Sequence, residues 1–159
     1  MIIPKCLLII LFGLIFIQDL KERQVYWFLF PLVGILSGYL FYISTLPELF
    51  IASIVLNAIF VSLMLLSVIL YSNLILKIKA RDAFGLGDAL LFLSLIFSFS
   101  SVSFLVIFVF GLLFSLVIHL ILKQTNTSRT VPLAGYLSLF FGLSYLAFWT
   151  GLTDSLYAI

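Results

Sequence analysis

Along the chain, long apolar runs alternate with short polar clusters. The runs are apolar on all sides rather than alternating; the stretch 51–70 is interrupted only by single Ser and Asn residues. A strand of a membrane barrel would alternate apolar and polar positions. Runs of 17 or more apolar residues are the signature of spanning helices, because the bilayer core offers backbone groups no water. The pattern predicts spans near 4–18, 27–43, 49–71, 89–100, 103–122 and 131–150. The uncharged stretch 89–122 is too long for one ordinary span and short for two. The cluster Ser98-Phe99-Ser100-Ser101-Val102-Ser103 is the turn expected to divide it.

Composition excludes a soluble domain. Of 159 residues, 65% are hydrophobic and 9% charged, against about 25% charged in typical chains. Eight basic and six acidic side chains cannot cover a water-facing surface. The expected fold is therefore an all-α membrane protein with six transmembrane helices and short loops, forming a single membrane-embedded domain over residues 1–159. Lys5 before the first apolar stretch imitates a signal peptide. The stretch runs on to Gln18-Asp19-Leu20 without a small-residue cleavage site, so a retained span is expected. The single Cys6 excludes an intramolecular disulfide and a Cys-x-x-Cys metal site; it reads as a packing thiol.

Charge placement orients the spans. With the N-terminus outside, loops 19–26, 72–88 and 123–130 are cytoplasmic. They carry Lys21, Arg23, Lys77, Lys79, Arg81, Lys123 and Arg129, leaving only Lys5 outside. The positive-inside rule favours this six-span arrangement, and with it the serine turn. Asp19, Glu22, Asp82 and Asp88 share the inner side; Glu48 and Asp154 lie outside. A multi-pass protein of the cytoplasmic (inner) membrane is expected, with the bilayer as partner and no nucleic acid.

Two carboxylates stand out. Asp19 ends the first span, and Asp88 opens the fourth after Gly85-Leu86-Gly87. Ionisable groups at membrane depth are costly and usually face a bundle interior or a cavity. Two neighbouring carboxylates do not readily ionise together, so one keeps a proton. Such a pair can activate water with one member and protonate a carbonyl oxygen with the other. Two ordinary readings stand beside this: Asp88 as a helix N-cap after a glycine turn, and Asp19 as a solvated interfacial charge.

Three segments together resemble the type IV prepilin peptidase family, which includes the preflagellin peptidases. Gly85-Leu86-Gly87-Asp88 matches the Gly-x-Gly-Asp motif of intramembrane aspartyl peptidases. Asp19-Leu20-Lys21-Glu22-Arg23-Gln24-Val25 looks like the family's first Asp motif. Thr130-Val131-Pro132-Leu133-Ala134-Gly135 resembles its Pro-containing segment near the active site. The resemblance runs the length of the chain. The sequence departs from the family in having Tyr26-Trp27 in place of a Pro-Asn-like pair, Ala89-Leu90-Leu91 where a Lys is common, and Leu133 where Phe is usual.

The resemblance implies an aspartic endopeptidase with Asp19 and Asp88 catalytic and no metal or organic cofactor. Its partners would be prepilin-like or preflagellin-like precursors, cut between a basic leader and a hydrophobic helix at the cytoplasmic face. Lacking the methylating domain of larger members, it would cleave without N-methylating. Gly85, Gly87, Arg23, Glu22, Asp82 and Pro132 would support the site or contact substrate. Gly87 is expected to permit an approach that a Cβ would block. Glu22 and Asp82 can attract a basic leader, or serve as ordinary interfacial charges beside Arg23 and Arg81.

Two alternatives remain at this level: a small proton- or cation-coupled transporter or channel subunit, and an inactive relative of the peptidases. Transporter sites usually lie near the midplane on broken helices, whereas these acids are interfacial. His119 and Asn57 read as interhelical bonding residues. Gly34-Ile35-Leu36-Ser37-Gly38 is a GxxxG pattern that either packs internally, the favoured reading, or pairs two copies as a homodimer. Asn126-Thr127-Ser128 fits a glycosylation sequon but lies in an inner loop. Tyr26, Trp27, Phe28, Trp149 and Tyr157 suit an interfacial aromatic belt.

Overall fold

A computed structural model describes residues 2–77, 85–122, 131–152 and 156–157. Among them are six α-helices and no strand. These are α1 (Ile2–Glu22), α2 (Leu29–Tyr42), α3 (Pro47–Tyr71), α4 (Leu86–Leu95), α5 (Ser101–Leu122) and α6 (Leu133–Trp149). One π-helical turn, Ser72–Leu76, prolongs α3. Three segments are long and apolar enough to cross a membrane: Ile2–Glu22, Pro47–Leu76 and Ser101–Leu122. At 1.5 Å per residue, α1 reaches ~31 Å and α4 only ~15 Å. The loop segments carrying Lys79, Arg81, Asp82, Lys123, Asn126 to Ser128, Arg129 and Thr130, and Asp154 near the end, lie outside the described residues.

The helices close on one another through small residues and aromatic rings. α1 and α6 run antiparallel. Lys5 Nζ lies 5.0 Å from the centre of the Trp149 ring. Phe12 faces Tyr145, with ring centres 6.1 Å apart, and Asp19 meets Gly135. Gly135 and Gly142, seven residues apart, lie on one face of α6. A Cβ at Gly142 would touch Phe12 Cβ at 3.5 Å, so the seam is close-packed, as membrane helix pairs lined by small residues are. On another face of α6, a Cβ at Gly111 of α5 would lie 2.6 Å from Leu137 Cδ1. α3 meets α5 through Phe60 against Phe104 and Phe108, and α4 meets α5 through Phe92 against Phe108 at 4.9 Å.

The apolar stretch 89–122 is divided, as expected, but the break falls at 96–100, a little earlier than the serine cluster suggested. Three hydrogen bonds from two side chains explain its position. Asn57 Nδ2 donates to the carbonyls of Ile96 (3.0 Å) and Phe99 (3.1 Å). Tyr145 OH donates to Ser98 O at 3.1 Å. Ile96, Ser98, Phe99 and Ser100 are all buried. Buried non-helical backbone is tolerated where protein groups satisfy its carbonyls. Asn57 thus bonds across helices, as its place in an apolar run implied.

Other expectations meet a different outcome. Cys6 is exposed rather than packed; it sits on the outer face of α1, whose inner face is set by Leu8, Leu11, Phe12 and Ile15. Tyr157 is not an interfacial belt residue. It is buried, stacked on Phe41 with ring centres 5.3 Å apart. Tyr26, Trp27 and Phe28 are exposed, as a belt requires. The GxxxG glycines pack internally: a Cβ at Gly34 would meet Ser94 O at 3.4 Å, and one at Gly38 would meet Phe97 Cβ at 3.3 Å.

Candidate functional site

The start of α6 gathers the two carboxylates. The first N–H groups of a helix lack intrahelical acceptors, so each needs a partner from elsewhere. Pro132, buried, has φ −77° and ψ 70°, the centre of an inverse γ-turn. This turn lets Leu133 N–H donate to Val131 O at 2.9 Å. Ala134 N–H donates to Asp88 Oδ1 at 2.8 Å, and Gly135 N–H to Asp19 Oδ2 at 2.6 Å. Tyr136 N–H then makes the first helical bond, to Pro132 O at 3.1 Å. Two adjacent amides in the first turn of α6 therefore hold one aspartate each. The positive end of the α6 dipole favours negative charge at the same place.

Asp19 comes from the last turn of α1. The helix continues to Glu22 and stops at Arg23, whose φ of +55° is left-handed. Asp19 is buried, at 9% exposure. Glu22 is exposed and Arg23 half-buried. The Arg23 charge acts on Asp19, and the Asp19 charge in turn acts on Asp88, so the three form one electrostatic group. Gln18 Oε1 accepts the Tyr26 N–H at 3.2 Å, fastening the turn into α2.

Asp88 is not the N-cap of α4. That position is Gly85, with extended backbone and no side-chain capping bond. Asp88 is the third residue of the helix, and its carboxylate faces the Gly85 backbone as well as Ala134. A Cβ on Gly85 would stand 2.9 Å from Asp88 Oδ2. A Cβ on Gly87 would meet only the Phe30 ring, at 3.6 Å, an ordinary contact. The close approach expected at Gly87 therefore occurs at Gly85.

It occurs again at Gly135, which sequence reading did not single out. A Cβ there would lie 3.1 Å from Asp19 Oδ2, 3.2 Å from Asp19 Cβ and 3.4 Å from Phe16 O. The signal was present as the Ala134-Gly135 pair after Pro132, but no local rule says that an amide at this position receives a carboxylate. The structure thus unites Asp19, Asp88, Gly85 and the turn at Pro132. Glu22 is exposed, and Asp82 is outside the described residues. Among the described residues, no three His, Cys, Asp or Glu side chains gather as a metal site.

Chemically, the arrangement is two carboxylates from different helices, Asp19 held by the Gly135 amide and Asp88 by the Ala134 amide and the Gly85 backbone. Fixing rigid carboxylates side by side is what a shared-proton acid/base pair requires. No family model matches this chain, and no curated protein and no solved structure matches it.

Proposed function

We propose that the chain is a membrane aspartic endopeptidase of the prepilin peptidase type. In this reading Asp19 and Asp88 are the catalytic pair, and they cut prepilin-like or preflagellin-like precursors between a basic leader and a hydrophobic helix. The observation that carries it is the docking of both carboxylates on the consecutive amides of Ala134 and Gly135. One ionised member takes a proton from water as the water attacks the scissile carbonyl. The protonated member donates to the carbonyl oxygen, and the pair then returns a proton to the leaving amine.

The reading includes six membrane crossings, the N-terminus outside and the acids at the cytoplasmic face of the inner membrane. It is supported by the seven-to-one basic asymmetry of the sequence and by the meeting of α1, α4 and α6 at one end of the bundle. At that end water is within reach of the boundary, as peptide hydrolysis requires.

The test is purified protein in detergent with a synthetic precursor, a Lys/Arg-bearing leader joined to a Leu/Ala-rich helix of about 20 residues. Cleavage at the leader–helix boundary, unaffected by chelators and lost in Asp19→Asn and Asp88→Asn, is expected. A second reading is favoured by the same two bonds, because they also satisfy amides that any helix start must satisfy. If no leader-bearing precursor is cut by the wild-type protein, the carboxylates are capping groups of an inactive relative or a transporter.

A further inference from the structure

The residue just past the end of α1 is an uncommon choice for its backbone. Arg23 has φ +55°, and glycine is the usual residue in that left-handed position, because a Cβ is disfavoured there. Lys77 adopts the same conformation past the π-helical turn, but its side chain is exposed. Arg23 is half-buried, between exposed Glu22 and exposed Gln24. The chain thus accepts a disfavoured backbone where a cationic side chain is partly withdrawn from the surface.

Arg23 follows Asp19 by about one helical turn, and its charge acts on Asp19. Among the described residues, the charge that acts on Asp88 is that of Asp19. The other elements at the site add no charged side chain: α2 and α6 contain none, and α4 contains only Asp88. On α1 itself, Lys21 and Glu22 are exposed. Backbone amides do not set the two acids apart, since each accepts one from α6. Asp88 has the Gly85 backbone besides, which offers a dipole and not a full charge. An opposite charge favours the ionised form of the carboxyl that it stands beside, and two neighbouring carboxylates do not readily ionise together. One proton shared by this pair therefore goes to the acid away from the cation.

We propose that Arg23 is a positioning residue for the pair: it keeps the negative charge on Asp19, which makes Asp19 the base and Asp88 the acid. The assignment rests on the peptidase reading. The Asp19 carboxylate takes a proton from water while the water oxygen bonds to the scissile carbonyl carbon. The Asp88 carboxyl gives its proton to the carbonyl oxygen, which leaves a neutral diol. As the C–N bond breaks, Asp19 passes its proton to the leaving amine and Asp88 recovers one from a diol hydroxyl, so both acids return to their starting states.

Arg23→Gly separates side chain from backbone, because glycine suits the left-handed position and carries no charge. Its thermal midpoint in detergent is expected to equal or exceed that of wild type. The acid limb of its pH–rate profile is expected to move to higher pH, since the base then gains a proton sooner. Arg23→Lys restores the wild-type limb. Lys21→Gln removes an exposed cation and moves neither limb. An acid limb unmoved in Arg23→Gly, or moved as far in Lys21→Gln, overturns the proposal and leaves the peptidase reading standing. Infrared titration of the carboxyl bands reads the same charge without turnover. The Asp19 band, followed in Asp88→Asn, is expected to move to higher pH when Arg23→Gly is added, and the Asp88 band, followed in Asp19→Asn, to move less. Equal movement of the two bands, or none, overturns the proposal whether or not the wild type cleaves. Movement of the Asp19 band in a protein that cuts no precursor upholds the hold of Arg23 on Asp19 and sinks the peptidase reading alone.

Discussion

Gly135 holds its backbone N–H 2.6 Å from Asp19 Oδ2, across 116 residues of sequence. The contact needs two things at once. The α6 amide must be free of helical partners, which the turn at Pro132 arranges. The α1 backbone must also come near, and a side chain at 135 would hold it away. The adjacent Ala134 amide then takes Asp88, so two consecutive residues fix the relative position of acids from two other helices.

Replacing Gly135 therefore acts on the acid pair directly. In Gly135→Ala the new methyl lies 3.1–3.2 Å from Asp19, and α1 or the carboxylate must give by a few tenths of an ångström. A loss of roughly tenfold in kcat is expected, since misplacement by 1 Å costs about 100-fold. Gly85→Ala, with its methyl 2.9 Å from Asp88 Oδ2, is expected to do the same. Gly87→Ala meets only an ordinary contact and should keep near-wild-type activity. Steady-state cleavage by the three purified variants checks this, and a loss at Gly87 equal to that at Gly135 would contradict the packing argument.

The helical character and the two acids were legible in the sequence because apolar runs and charge placement are local properties. The meeting of Asp19 and Asp88 with Gly135 and Ala134 was not, because helix-start amides carry no side-chain signature. For the same reason Gly87 drew attention that belongs to Gly85. The break between α4 and α5 was readable as a break, but its position depends on Asn57 and Tyr145, one before it and one after it in the chain. Cys6 and Tyr157 were misjudged because a run that is apolar all round does not show which face is inward.

Asn57 should be a stability residue with no part in chemistry. Asn57→Leu removes both donors to the Ile96 and Phe99 carbonyls and leaves these groups buried without them. Each unsatisfied group costs ~1–3 kcal/mol, so a clear drop in the thermal midpoint in detergent is expected. Ser67→Ala, whose exposed hydroxyl bonds only Met64 O in its own helix, should leave the midpoint unchanged. An unaltered midpoint for Asn57→Leu would mean that the break is held by something else.

Membrane topology can be tested against the geometry. Phe41 and Phe99 both pack on Tyr157, at 5.3 and 6.3 Å between ring centres, so the end of α2 and the 96–100 break share one end of the bundle. The aspartates occupy the start of α6 at the other. Reporter fusions at Thr45 and Ser101 should read outside, and fusions at Gln24, Lys79 and Thr127 cytoplasm. A Thr127 fusion reading outside would remove the six-span arrangement.

The aspartates themselves allow capping and catalysis to be separated, because Asn retains the acceptor and loses the acid. An Asn carbonyl oxygen can still take the Ala134 or Gly135 amide, and Asn caps helices about as well as Asp. Asp19→Asn and Asp88→Asn should therefore insert and melt like wild type while cleavage disappears at every pH. Asp19→Ala and Asp88→Ala lose the acceptor too and should be less stable by ~1 kcal/mol. The double Asn variant should be no worse than either single one, since removing one member already ends the acid/base cycle. On the peptidase reading, turnover in the wild type needs one protonated and one ionised carboxylate. The rate should thus fall on the acid side, where both are protonated, and on the alkaline side, where both are ionised, giving a bell-shaped profile that belongs to the pair. Cleavage by either Asn variant at near the wild-type rate would assign that aspartate to holding α6 and nothing more.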